Sequence, residues 1–340
     1  MLKASALSFA IATSSLAAAP PPEPTKQMKK VLGALQALGA KPPSSGTVEE
    51  ARTGVTAKDA VMKVLKDDGK PSKPEDVGRV EQKMIKDVPV TVYTPAGTGP
   101  FPAIIYFHGG GFVLADANVY DASARALTSQ ARAIVISVDY RRAPEHPYPA
   151  ALDDSSAVYQ HVAANPKDFN VQPGKIAVAG ESAGANLATA VTMRAKKDKA
   201  PLPIYQLLVY PFVSTDLTTA SHRALGTGNF IISNADLAWF WEQYLGKGWK
   251  TATDAMAVPA VAKKEDLKGL PSAMVITAGL DPLKDQGASY AKQLMSAGIE
   301  VKTKEVAGVT HEFFGMAGVV DEAKQAQADA VAALTAAFSK

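Results

Sequence analysis

The 340-residue chain contains no cysteine. Disulfides, thiol nucleophiles, thiolate metal sites and a lipid anchor attached through cysteine are therefore excluded. Histidine is scarce, with five residues and no His-x-His or His-x-x-x-His pair, which argues against metal chemistry. No large excess of one charge sign exists, since 36 Lys and Arg face 33 Asp and Glu. The basic pairs Lys29-Lys30, Lys196-Lys197 and Lys263-Lys264 are scattered and lack interleaved aromatics. Neither nucleic acid nor a membrane surface is implied as a partner. Nowhere is an apolar run long enough to span a bilayer, so stable membrane insertion is not expected.

The start of the chain carries a targeting pattern. Lys3 precedes a mildly apolar stretch from Ala4 to Leu16, Ser15-Leu16-Ala17 has a small-x-small cleavage form, and Pro20 to Pro22 follow. This reads as a signal peptide over 1–19, with a periplasmic or secreted mature protein. A cytoplasmic protein with a disordered Ala-rich tail is the alternative.

Helical patterning follows at Lys26 to Leu38 and at Val48 to Lys66, the second opening on a capping-box pattern, Thr47-Val48-Glu49-Glu50. Arg79 to Ile85 and Val88 to Tyr93 read as an antiparallel strand pair turned at Lys86-Asp87. Short apolar runs then alternate with helical patterns: Ala103 to Phe107, Ala133 to Val138, Ile176 to Ala179, Tyr205 to Tyr210, Ala273 to Thr277 and Val301 to Val306. That rhythm predicts an α/β protein whose mainly parallel, eight-stranded sheet is covered by helices on both faces. It lapses between Pro211 and Leu267, where all three tryptophans lie, and this stretch reads as a helical insertion. The expected organisation is N-terminal helices over 20–75, a core over 76–211 and 268–340, and a cap insertion over 212–267.

The strand ending at Ala179 runs into Gly180-Glu-Ser-Ala-Gly184 and then a small-residue helix. A Gly-x-Ser-x-Gly turn in this context projects the serine hydroxyl clear of the main chain, and the glycines are steric requirements. Serine is a weak nucleophile without a base and an orienting acid. On α/β-hydrolase sheets these follow the serine in the order acid, histidine. His108, His146 and His161 precede Ser182, leaving His222 and His311. His222 falls in the insertion, whereas His311 follows the last strand, and Asp281 directly follows the strand that ends near Thr277. Ser182, His311 and Asp281 are the expected triad, with Asp285 the runner-up acid and better suited to capping a helix. The His108-Gly-Gly-Gly111 loop supplies backbone donors for a developing oxyanion, expected from Gly109, Gly110 and Ala183. No Gly-Lys-Ser/Thr follows that loop, which argues against a phosphate site.

These motifs resemble those of the bacterial hormone-sensitive-lipase-like family of α/β-hydrolase carboxylesterases. The matching residues are Tyr106 to Phe112, Asp139 to Pro147 with Pro149 to Asp154, Gly180 to Gly184, Asp281 to Asp285, and His311 to Phe314. Trp239 to Leu245 resembles the family's cap segment. The resemblance implies hydrolysis of short- to medium-chain acyl esters, a cap built from the N-terminal helices and the insertion, and no cofactor. The implied partner is a small-molecule ester, and a homodimer is left open. Phe112, Phe212, Phe230, Trp239 and Trp241 are candidates to line the substrate pocket, with ordinary packing the competing role. Glu181 stands where the family more often has aspartate, and Glu312 where it more often has glycine. Neither is given a catalytic role, though Glu181 is near enough to alter local charge. Tyr140 to Pro147 reads as structural, with His146 a packing or hydrogen-bonding residue. Amide, formamide or carbamate hydrolysis would need the same triad. A non-catalytic ligand receptor is disfavoured by the presence of His311.

Overall fold

A computed structural model describes residues 23–228 and 230–340, so the expected signal peptide lies outside the described residues. Eight strands form one sheet: β1 (Arg79–Ile85), β2 (Val88–Thr94), β3 (Phe101–Phe107), β4 (Ile134–Val138), β5 (Val171–Glu181), β6 (Gln206–Val209), β7 (Ala273–Leu280) and β8 (Val301–Thr310). Their spatial order is β1-β2-β4-β3-β5-β6-β7-β8. β2 is antiparallel to both its neighbours, and every pair from β4 to β8 is parallel. Lys86 and Asp87 both take positive φ, 51° and 62°, the backbone of a tight two-residue hairpin turn.

The parallel strands are apolar without alternation because both faces are covered. On β3, Ile105 and Phe107 enter one core while Ile104 and Tyr106 enter the other, and all four are at most 1% exposed. The helices are α1 (Lys26–Ala37), α2 (Val48–Arg52), α3 (Ala57–Asp67), α4 (Asp121–Ala131), α5 (Ala150–Ala164), α6 (Ala183–Lys197), α7 (Ala220–Leu225), α8 (Asn234–Leu245), α9 (Lys264–Leu267), α10 (Lys284–Ser296) and α11 (Asp321–Phe338). Residues of α5, α6, α8 and α10 pack in the first core, and residues of α1, α3, α4 and α11 in the second. No helix among the described residues is long and apolar enough to cross a membrane.

Two expectations are corrected. The single helix expected from Val48 to Lys66 is two helices. Thr47 and Glu50 form their capping box, but Thr56 starts a second one, donating its N–H to Asp59 Oδ2 at 2.8 Å, and the chain between the helices turns at Gly54. Several strands also run further than their apolar cores. β7 continues to Leu280 and β8 to Thr310, because Leu280 still pairs with Thr310 beyond an irregularity after Ala278.

The N-terminal segment and the 211–267 stretch meet over the carboxyl ends of the strands. Ser44 donates from its N–H and hydroxyl to Asp236 Oδ1, at 3.0 and 2.7 Å, while Asp236 Oδ2 caps α8 through Ser233. Arg52 donates to the carbonyls of Val113 and Ala143, both at 2.9 Å, and forms a two-pronged pair with Glu145. These contacts hold α2 against the glycine loop.

Candidate active site

Four strand ends converge on one crevice, as expected where ligands bind beyond the carboxyl ends of a parallel sheet. β3 ends at the glycine loop, β5 at Ser182, β7 at Asp281 and β8 at His311. Ser182 occupies φ 56°, ψ −118°, a conformation that costs of order 1–3 kcal/mol for a residue with a side chain. Its backbone is tied on both sides: the N–H donates to Val209 O at 2.9 Å, and its carbonyl accepts from Ala185, Asn186 and Phe212. A methyl group on Gly180 would overlap the Gly184 carbonyl, and one on Gly184 would overlap the carbonyl oxygen of Phe107. The two glycines are thus demanded by close backbone approach.

The sequence-expected triad residues come together. Ser182 Oγ lies 2.9 Å from His311 Nε2, and His311 Nδ1 lies 2.7 Å from Asp281 Oδ2. With Nδ1–H donating to Asp281, Nε2 is bare and can accept a hydrogen bond from the Ser182 hydroxyl. Asp281 is fully buried, and its other oxygen accepts the Leu283 N–H at 2.8 Å, which fixes the carboxylate plane. Burial opposes a charged His311, yet the Asp281 charge and hydrogen bond, with help from Glu312 and Glu181, raise its pKa above the usual histidine value. The other candidates serve elsewhere. Asp285 accepts from Ser221 N–H at 2.8 Å at the start of α7, and His222 is buried with Nδ1 beside Thr219 Oγ1 at 2.7 Å.

The glycine loop is braced from beneath. His108 is buried, stacks on Tyr140 at 4.3 Å, and bonds the Gly109 carbonyl through Nδ1. Burial pulls its pKa down to about 4, so it is neutral near pH 7. Tyr140 OH donates to the carbonyl of His108 at 2.8 Å. With these carbonyls engaged, the N–H groups of Gly109, Gly110 and Ala183 have no acceptor among the described residues. Gly109 is also pressed against the Tyr120 hydroxyl, and Gly111 against the Phe240 ring, so no side chain fits at either position. His146, by contrast, is solvent-exposed, so the packing role expected for it is not seen.

The aromatic candidates divide. Phe112, Phe212 and Trp241 are fully buried, and with Tyr244 they form a packed cluster in which Phe112 stacks on Tyr244 at 3.8 Å. Apolar packing between the insertion and the core accounts for the burial of these three, the competing role expected for them. Phe230 and Trp239 are partly exposed.

A cavity of about 480 Å³ lies beside Tyr120, Glu181 and Glu312. Glu181 accepts hydrogen bonds from the hydroxyls of Tyr106 and Tyr210, and Glu312 accepts one from Tyr120 at 2.6 Å. Burial, then the neighbouring Glu312 charge, push the Glu181 pKa up to about 7. Burial likewise raises that of Glu312, whose Oε1 is 4.0 Å from His311 Nε2. Sequence reasoning marked both glutamates as departures but missed how near Glu312 comes to the reacting nitrogen. The signal available was the position itself, immediately after the base.

Residues 104–315 match the model of a family described by its α/β-hydrolase fold. Carboxylesterase NlhH of Mycobacterium tuberculosis is 37% identical over 270 residues, covering 76% of this chain and 83% of that protein. The carboxylic ester hydrolase LipN of the same organism is 39% identical over 237 residues, 68% of this chain and 62% of LipN. The solved hyperthermophilic esterase from the archaeon Pyrobaculum calidifontis superposes with a TM-score of 0.82 at 32% identity, covering 92% of this chain and 98% of that one. The chain belongs to the hormone-sensitive-lipase-like α/β-hydrolase family. Its class is that of a carboxylic ester hydrolase.

Proposed function

We propose that the protein is a serine carboxylesterase acting on short- to medium-chain acyl esters through an acyl-enzyme. The reading is carried by the hydrogen-bonded series Ser182–His311–Asp281, at 2.9 and 2.7 Å, set beside three unengaged backbone donors. Ser182 Oγ attacks the ester carbonyl carbon as Nε2 of His311 takes its proton. The resulting oxyanion is stabilised by the N–H groups of Gly109, Gly110 and Ala183, and Asp281 holds the imidazolium. His311 then passes the proton to the departing alcohol. Water, deprotonated by the same nitrogen, hydrolyses the acyl-enzyme and regenerates Ser182.

The N-terminal helices and the 212–267 insertion act as a cap, a reading supported by the Ser44–Asp236 tie and by Phe240 against Gly111. Export through the N-terminal segment completes the reading and is tested by mass spectrometry of the mature N-terminus. A chain-length series of nitrophenyl esters, run on wild type, Ser182→Ala and His311→Ala, tests the chemistry. Turnover is expected to fall by at least about 10³-fold in both variants. Undiminished hydrolysis by Ser182→Ala refutes the mechanism.

A further inference from the structure

The chemistry just described leaves the residue after the base unaccounted for. Glu312 sits at φ 66°, left-handed backbone that a residue with a side chain seldom adopts. Its Oε1 lies 4.0 Å from His311 Nε2, the nitrogen that is also 2.9 Å from Ser182 Oγ. Once Nε2 has taken the serine proton, it must pass that proton to the departing oxygen. A carboxylate so near is a rival acceptor, and a hydrogen bond from imidazolium to carboxylate is among the strong ones. The other groups facing His311 do not compete for Nε2. Asp281, at the end of β7, bonds Nδ1; Glu181, at the end of β5, is engaged by two tyrosine hydroxyls; and Tyr210, after β6, presents its ring at 4.6 Å.

The rival oxygen is already occupied. Tyr120 OH donates to Glu312 Oε1 at 2.6 Å. Tyr120 is buried and its hydroxyl is wedged in place, since a methyl group on Gly109 would lie 2.2 Å from it. Burial, then the Glu312 charge, push the phenol pKa well above the usual tyrosine value, so the proton stays on the hydroxyl. The donor thus has one place to sit, between Gly109 and Glu312. We propose that Tyr120 is a positioning residue whose hydroxyl holds the Glu312 carboxylate off His311 Nε2, keeping that nitrogen free for Ser182 and the leaving group. The proposal rests on the serine-esterase reading.

The test is Tyr120→Phe, which removes the hydroxyl and keeps the ring, set beside Glu312→Gly and the double variant on nitrophenyl butyrate. In Tyr120→Phe the released carboxylate reaches Nε2. Its kcat should fall by about tenfold with KM little changed, the scale of one charge-assisted hydrogen bond made off the reaction path. The acid limb of its kcat/KM profile should rise by about one pH unit, because a closer anion stabilises the imidazolium. Glycine suits the φ of 66° at position 312, which keeps the other two variants folded. In the double variant no carboxylate is left to restrain, so kcat should equal that of Glu312→Gly. If Tyr120→Phe costs as much in the Glu312→Gly background as in wild type, the proposal is overturned, and the hydroxyl acts only by packing beneath Gly109. Full activity in Tyr120→Phe, or an acid limb that stays or moves down, overturns it as well. Failure of the esterase reading is distinct: turnover would survive Ser182→Ala.

Discussion

The sheet side of the site and its cover are held by different means. On the sheet side, strand ends and backbone hydrogen bonds fix Ser182 at a strained φ, and glycines are compelled by main-chain contact. Over it, the N-terminal helices and the insertion are joined by side chains: Asp236 with Ser44, Arg52 with Glu145 and two carbonyls, and an aromatic cluster around Trp241. Backbone constraint gives the reacting atoms one geometry. Side-chain attachment lets the cover change by point substitution without disturbing them.

The comparison can be broken from its strongest end. Asp281→Asn should leave the fold intact and reduce kcat by about 10⁴-fold, because His311 loses the tautomer that leaves Nε2 bare. Full esterase activity in that variant, with activity lost in Asp285→Asn, would reassign the acid. Gly184→Ala should destabilise the protein by about 3 kcal/mol, measured by urea denaturation, since the Phe107 and His108 carbonyls leave no space for a methyl group. An unchanged midpoint would show that the sheet side yields more easily than described. Asp236→Ala removes a helix cap and the tie to Ser44. It should cost about 1–2 kcal/mol and change KM more than kcat. A fall confined to kcat would place the cover within the catalytic geometry.

The smallest effects lie where the two regions meet. Glu312 is among the charges that raise the His311 pKa, so Glu312→Gln should move the acid limb of the kcat/KM profile to lower pH. A limb that stays in place would show that Glu312 does not set it, leaving Asp281 and Glu181. Glu181 titrates in the fold at about 7 against an ordinary 4.5. Folding therefore favours its protonated form, and that contribution is full below about 4.5 and lost as pH rises through about 7. Thermal melts across this window should show the loss, and Glu181→Gln should flatten it.

Legibility in the sequence followed the range of the interactions. The elbow, the glycine loop, the hairpin at Lys86-Asp87 and the order of serine, aspartate and histidine are local patterns or consequences of chain order, and each is readable along the chain itself. Split helices at Gly54 were legible in part, since Thr56-x-x-Asp59 is itself a capping pattern that a longer helical period overrode. The tyrosine shell was not. Tyr106, Tyr120 and Tyr210 come from β3, the loop before α4 and the end of β6, and nothing in their spacing says that their hydroxyls meet two glutamates. The aromatic candidates stayed open between two roles for a related reason: a large apolar ring suits a pocket wall and a packed cluster equally until its neighbours are known.

The separation of Ser182 from His311 by 129 residues also has a consequence during translation. A growing chain presents its nucleophile long before its base, and Thr25, at the start of α1, gains the acceptor for its N–H, 2.9 Å away, only once Gly308 is made. On the proposed mechanism, a polypeptide that has not yet reached His311 carries an unactivated serine.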